Sequence, residues 1–241
     1  MSASVAIART TLRGVLDRRR TWLMVLLALV PVLTALIFVL AGGQRIGNSI
    51  LDNLIVRTVL PLIALVFGTA VLGSELEDGT IVYLLTTPIR RARMALGKGL
   101  VAVGVTVALV VPATFVTALL AAQVNERFAG VAPGFALSVG LGGAAYALVF
   151  MTASLFTTRA LALGLAYVLI WEGILSGLLA GTQAFSIRQA TLGLAAALTG
   201  WEPGTTPMQP GNAIVVLGGA IIGSLLISTW RLSRYEVRGG D

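Results

Sequence analysis

The chain has 241 residues, of which 57% are hydrophobic and 11% are charged, and its formal net charge is +7. Soluble domains have about 45–50% apolar and about 25% charged residues, so this composition excludes most soluble folds, and its high hydrophobicity excludes a disordered chain. The sequence contains no histidine and no cysteine. Disulfides, zinc fingers and catalytic sites built on histidine are therefore excluded.

The first 20 residues predict an amphipathic helix that lies along the membrane surface. Apolar residues recur at helical spacing on one face, and arginines occupy another. The alternative is a plain basic flank that only fixes orientation. A cleaved signal peptide is disfavoured, because the apolar run that follows has about 20 residues and exceeds a signal sequence's apolar core.

Six stretches are apolar and long enough to cross a bilayer, for which a helix needs about 20 residues. We predict an all-α membrane protein with a single transmembrane domain over residues 1–241 and six transmembrane helices, at 22–41, 56–74, 99–122, 134–157, 160–181 and 213–230. Residues 182–212 are only partly apolar and contain Gln183 and Arg188. They predict an outer segment that is re-entrant or interfacial, and residues 231–241 form a short tail.

The positive charges indicate how the chain is oriented. With the N-terminus in the cytoplasm, only Arg45, Arg57, Arg127 and Arg188 of the 17 basic residues fall outside. Short cytoplasmic loops are rich in lysine and arginine, so both termini are predicted to be cytoplasmic. The net charge is then a signal of topology, and no nucleic acid is expected as a partner.

Several chemical sites are missing from the sequence. There is no GxxxxGK[ST] motif, so the chain has no ATP-binding P-loop of its own. Gly140, Gly142 and Gly143 lie inside the fourth predicted span and are interpreted as packing glycines. Gly219 and Gly223 have the GxxxG spacing that favours close helix packing.

Glu172 is the only acid inside a predicted span. A carboxylate at such a position is usually functional or paired, so Glu172 is a possible intramembrane polar site. One interpretation is a proton or substrate contact. The other, which we favour, is a structural anchor with a hydrogen-bonding partner, for which Ser176 one turn later is a candidate.

The cytoplasmic segment between spans two and three, residues 75–98, is the most informative part of the chain. It opens with acids (Glu75, Glu77 and Asp78), continues with an apolar run (Ile81 to Leu85), and closes with bases (Arg90, Arg91, Arg93 and Lys98). This order of charges suits a helix dipole, and Pro88 favours an end to the first helix. The apolar run needs a surface to bury against, either lipid headgroups or a partner protein.

This segment resembles the corresponding loop of the permease subunits of type 2 ABC transporters, in their short six-span form that serves drug efflux or maturation of nitrous oxide reductase. The resemblance is carried by Glu77-Asp78-Gly79-Thr80, Leu84-Leu85, Pro88, Arg90-Arg91 and Gly97-Lys98. It implies a coupling helix seated on a separate ATP-binding subunit, with two such subunits and two permeases, identical or different, in the working complex. ATP and Mg²⁺ would bind the partner, and this chain would hold no cofactor, metal or catalytic residue.

The resemblance also implies roles within the coupling segment. Ile81, Tyr83, Leu84 and Leu85 would fill a groove of the partner. Glu75, Glu77 and Asp78 would pair with its bases or cap the helix, and Gly79 would allow a close approach or a bend. Thr80 and Pro88 belong to the same predicted coupling site, and Arg90 and Arg91 would contact lipid phosphates or acids of the partner.

The resulting functional prediction is a permease subunit of an ATP-driven exporter in the bacterial cytoplasmic membrane, surrounded by lipids and without enzymatic activity of its own. Two other classes stay open at this point. One is an ATPase-linked assembly or mechanotransmission factor, and the other is an ion-driven secondary transporter that uses Glu172.

Overall fold

The computed structural model describes residues 18–41, 50–77, 91–175, 182–201 and 207–234. These residues form helices and turns, with no strand among them. The α-helices are α1 (Arg18–Leu40), α2 (Leu60–Glu77), α3 (Arg91–Ala122), α4 (Arg127–Ser154), α5 (Ala160–Ala166), α6 (Ile187–Thr199) and α7 (Pro210–Ser233). Two wider, π-helical stretches adjoin them: π1 (Ile50–Val59) runs into α2, and π2 (Tyr167–Leu175) continues α5. A 3₁₀ turn, Thr182–Phe185, precedes α6.

Five helical rods in the described part of the chain are long and apolar enough to cross a membrane. They are Arg19–Leu40, Ile50–Gly73, Arg91–Ala122, Arg127–Ser154 and Pro210–Ser233, and Ala160–Gly173 is a shorter apolar helix. The prediction of an all-α membrane protein is confirmed, and the number of six spans stays a prediction. The rods are longer than the predicted spans, because π1 extends the second rod back to Ile50 and α3 begins at Arg91.

Helix α4 is the centre of the bundle and packs against α2, α3, α6 and α7. Helix α1 packs mainly on α3. Most large apolar side chains of α1 and many of α7 are exposed, for example Trp22 and Val215. In a membrane protein such surfaces are available to lipid or to other helices.

Glycines allow the closest helix approaches to α4. A Cβ atom on Gly68 of α2 would lie 2.6 Å from the carbonyl oxygen of Ala147, and one on Gly142 of α4 would collide with the side chain of Thr191 in α6. The interpretation of Gly142 as a packing glycine therefore agrees with the structure. By contrast, Gly219 and Gly223 have no heavy atom within 4 Å of a built Cβ, so this pair does not contact another described helix closely.

The two ends of the bundle differ in the helices that begin, end or lie there. At one end α2 stops and α3 begins, and we call it the Arg91 end. At the opposite end, which we call the α6 end, π1 begins and α6 lies beside the first half of α4, with Gly134 against Thr199. Helix α6 has 13 residues, which span about 20 Å and are too few to cross a bilayer.

Candidate functional site

A group of polar side chains is buried where π1, π2 and the start of α6 meet α4. We call it the polar cluster, and it consists of Asp52, Tyr146, Tyr167, Glu172, Ser186 and Arg188. All of them except Tyr167 are buried, and the exposure of each whole residue is at most 6%. A buried polar group is costly unless it is hydrogen-bonded, so the partners of each one decide what the cluster does.

Glu172 of π2 accepts hydrogen bonds from three residues on two elements. Ser186 Oγ lies 2.5 Å from Oε2. The backbone N–H of Ile187 and the hydroxyl of Tyr167 both donate to Oε1, at 3.1 and 3.3 Å. This carboxylate therefore fastens the first turn of α6 to π2. A carboxylate near a helix N-terminus is also favoured by the helix dipole.

The local sequence explains why α6 begins beside Glu172. Ser186 is the N-cap of α6, and its Oγ accepts a hydrogen bond from the backbone N–H of Gln189 at 3.1 Å. Ser186 and Gln189 have the S-x-x-Q spacing of a capping box, in which both residues favour a helix start. Gly200 ends the helix with a φ of 64°, a left-handed conformation that glycine adopts without strain.

Asp52 and Arg188 form an ion pair between π1 and α6. Nη2 of Arg188 lies 2.9 Å from Oδ1 of Asp52, and the two side chains are 6% and 9% exposed. Breaking a buried pair by removing one partner leaves an uncompensated charge. This pair is a second connection that holds α6 in the bundle.

A third connection joins the two π-helical stretches directly. Nη2 of Arg57 in π1 donates to the carbonyl oxygen of Gly173 in π2 at 2.9 Å. Aromatic rings support π2 from the side of α4, because Phe150 stacks with Tyr146 at 5.9 Å and meets Tyr167 edge-on at 6.2 Å. Residues that are far apart in the sequence thus connect π1, π2 and α6 to one another.

The polar cluster does not use its full hydrogen-bonding capacity. Within the described part of the chain, the Tyr146 hydroxyl, Nε of Arg188 and Oε1 of the neighbouring Gln189 are buried without a hydrogen-bond partner. Each such atom costs about 1–3 kcal/mol of desolvation.

At the Arg91 end, a buried lysine joins α2 to α3. Nζ of Lys98 donates a hydrogen bond to the carbonyl oxygen of Val71 at 3.1 Å, and Lys98 is 0% exposed. Met94 and Ala95 of α3 and Leu72 of α2 are buried around the same region. The helices on either side of the predicted coupling helix therefore meet in a packed junction.

The structure describes only part of the predicted coupling segment. Glu75 and Glu77 lie in the last turn of α2, and Arg91 is the first residue of α3. Residues 91–98, assigned to the loop from sequence, belong to α3. The other predicted contact residues lie outside the described residues: Asp78, Gly79, Thr80, Ile81, Tyr83, Leu84, Leu85, Pro88 and Arg90. So does most of the predicted N-terminal helix.

Sequence reasoning identified Glu172 but missed the residues around it. The predicted partner Ser176 lies outside the described residues, and Ser186 holds the carboxylate instead. Asp52 is not among the predicted site residues, and Arg188 is predicted only as an outer positive charge and a polar residue of the outer segment. The capping residues Ser186 and Gln189 were a signal that could have placed the start of α6.

The comparison with protein families bears on the whole bundle. A family model described as "ABC-2 family transporter protein" matches residues 16–196, which include every element from α1 to most of α6. The chain belongs to the ABC-2 transporter family. No curated protein matches it.

Membership of the ABC-2 family identifies the chain as a multi-pass membrane permease of an ABC transporter. The resemblance stated from the sequence is thereby confirmed at the level of the family. Permeases of this family are membrane components that normally lack their own ATPase motif, and they associate with an ATP-binding subunit.

Proposed function

We propose that this ABC-2 chain is the permease subunit of an ATP-driven exporter, with ATP and Mg²⁺ bound by a separate subunit. The observation that carries the proposal is the family match over residues 16–196 in a chain without a GxxxxGK[ST] motif. The segment between α2 and α3 would receive the motion of the ATP-binding subunit. A second permease chain, identical or different, would complete the complex.

The packing at the Arg91 end supports this assignment. A partner that moves the segment after α2 must act on both helices that flank it, and Lys98 joins α3 to α2 close to that segment. The hydrogen bonds on Glu172 support a structural role for this acid. They favour an ATP-driven permease over an ion-driven transporter that uses Glu172.

Copurification tests the proposal. The tagged chain is purified in mild detergent from its native membrane, and the eluate is assayed for a subunit with a GxxxxGK[ST] motif and for Mg²⁺-dependent ATP hydrolysis. We expect both with the wild-type chain, and neither with the double variant Leu84→Asp/Leu85→Asp. Ala92→Asp is the matched control, because Ala92 is exposed at the start of α3 and lies outside the apolar run.

Two results would contradict the proposal. One is a chain that purifies alone under conditions that keep other membrane complexes together. The other is an ATPase subunit that stays bound to the Leu84→Asp/Leu85→Asp variant as well as to Ala92→Asp.

Orientation can be tested separately because the chain has no cysteine. Gln123, between α3 and α4, and Thr158, between α4 and α5, are both exposed. In intact cells, a membrane-impermeant thiol reagent is expected to label Gln123→Cys and not Thr158→Cys. The opposite pattern would place the N-terminus and the segment between α2 and α3 outside the cell. That segment could then not contact a cytoplasmic ATP-binding subunit, and the proposal would be contradicted.

A further inference from the structure

A groove of about 650 Å³ lies between the outer segment and α7. This volume is within the range of about 300–1,000 Å³ that is usual for ligand sites. Its walls come from Val149 of α4, Tyr167 of π2, Met208, one face of α7, and the three residues Ala184, Phe185 and Ile187. The small residues Gly219 and Ala220 of α7 leave the space that forms the groove.

The walls of this groove are held in place by contacts already described. Tyr167 and Ile187 both donate to the same oxygen of Glu172, at 3.3 and 3.1 Å. Met208 is pressed against α6, because a Cβ atom on Gly193 would lie 2.5 Å from the Met208 carbonyl oxygen. Three of the side chains or backbone segments that line the groove are therefore held by specific contacts.

The chemistry of the lining is graded along the groove. The inner part is apolar, with Val149, Val216 and Ala220, while Asn212 offers an exposed amide in the first turn of α7. Residues 212–220 cover about 12 Å of helix axis. Because a polar group without a partner is costly in such surroundings, the inner part suits hydrocarbon, and only the Asn212 end suits a polar group.

The groove is open to the surface on which lipid would lie. Phe185 and Val215 on its rim are 73% and 71% exposed, so these two large apolar side chains are available to lipid. One hydrocarbon chain with a polar head matches a lining that is apolar inside and carries an exposed amide at one end. A helix of a second chain is the alternative occupant, and the variants below distinguish it.

We propose that this groove binds a membrane amphiphile, with one hydrocarbon chain along Val216, Gly219 and Ala220 and its polar head beside Asn212. The occupant comes from the bilayer and not from water. This proposal goes beyond ATP-driven transport and is measured on the permease chain alone, so its failure and the failure of the proposed function can be told apart.

The test uses a lysophospholipid that carries a photoactivatable diazirine near the end of its single acyl chain. The full chain is reconstituted in lipid nanodiscs with this probe, illuminated and digested, and the labelled peptides are identified by mass spectrometry. We expect labelling to concentrate on peptides that contain Val149, Tyr167 and residues 212–220. The exposed apolar surface of α1 is the reference for unspecific labelling.

Two neighbouring glycines give a matched pair of variants. Neither Gly218 nor Gly219 has a heavy atom within 4 Å of a built Cβ, so a side chain can begin at either position without a clash, and only Gly219 of the two lines the groove. Gly219→Leu is expected to lower groove labelling about tenfold, as when about two methylene groups lose their burial. Gly218→Leu is expected to leave the labelling within about twofold of wild type, and Ala220→Leu repeats the test on the adjacent wall.

Two results would overturn the proposal. If labelling is spread evenly over α1, α3 and α7 and both leucine variants match wild type, the probe reports only surrounding lipid. If Gly219→Leu leaves the labelling unchanged but abolishes chemical cross-linking between two copies of the chain, a second copy occupies the groove.

Discussion

The ion pair between Asp52 and Arg188 is expected to hold α6 in the bundle, and a double-mutant cycle measures its contribution. The two side chains are 2.9 Å apart and 6% and 9% exposed, so salt and water screen them little. At an effective dielectric constant of about 20, unit charges about 4 Å apart attract each other by about 4 kcal/mol. Removing one partner of a buried pair typically costs about 3–5 kcal/mol.

The two single variants are expected to differ. Asp52→Asn leaves a buried guanidinium that stays charged, and we expect a loss of about 4 kcal/mol in the free energy of unfolding. Arg188→Gln keeps a side-chain amide that can donate a hydrogen bond to Asp52, so we expect a smaller loss, of about 2–3 kcal/mol. The double variant leaves no charge behind, and its loss should fall short of the summed single losses by about 2 kcal/mol or more.

Unfolding can be followed by tryptophan fluorescence, because the chain has four tryptophans. The purified chain is titrated with SDS in mixed micelles, and the free energy of unfolding is extrapolated to zero SDS. Glu126→Gln and Arg93→Gln are the controls, since both residues are exposed and each variant removes the same type of charge. Losses that simply add in the double variant would refute the reasoning, because they would mean that the two charges do not interact.

Two further predictions use the same unfolding assay. Gly68→Ala is expected to lower the free energy of unfolding by about 1–3 kcal/mol, because its Cβ would lie 2.6 Å from the Ala147 carbonyl oxygen. Gly104→Ala is the control and should lose nothing, since no heavy atom lies within 4 Å of its built Cβ. Equal losses would contradict the close packing of α2 on α4. Lys98→Ala is expected to lose about 2 kcal/mol or more through its fully buried side chain and its hydrogen bond to Val71. Leu100→Ala, at a side chain that is 68% exposed, should stay within about 0.5 kcal/mol, and a similar value for Lys98→Ala would contradict a packed junction.

The helical class could be predicted from the sequence because it rests on local composition. Long uncharged runs with few polar interruptions predict helices of membrane-spanning length, and this prediction does not depend on how the helices pack. The ends of the rods were less accessible. Polar residues such as Asp52 and Lys98 lie beyond the apolar runs, so a prediction from hydropathy ends each span before them. In the structure the helices continue through these residues, because Asp52 pairs with Arg188 and Lys98 donates to the carbonyl oxygen of Val71.

The polar cluster could be predicted only in part, because most of its contacts are not local. Glu172 stands out as an acid in an apolar run, but its partner Ser186 is brought back by the outer segment. Asp52 and Arg188 are 136 positions apart. Without an alignment, nothing in the sequence connects an acid near the start of one rod to a base in an outer helix. The capping residues of α6 are the exception, since their spacing is a local signal.

The connections at the two ends of the bundle lie along one continuous rod. Lys98 fastens α3 to α2 at the Arg91 end, and α2 is the direct continuation of π1. π1 in turn carries Asp52 and Arg57, which hold α6 and π2 at the other end. If the proposed ATP-binding subunit displaces the segment after α2, close packing favours transmission of that displacement along this rod toward α6. We expect such a displacement to be taken up first at π1, where π-helical turns interrupt the regular α-helical hydrogen bonding of the rod.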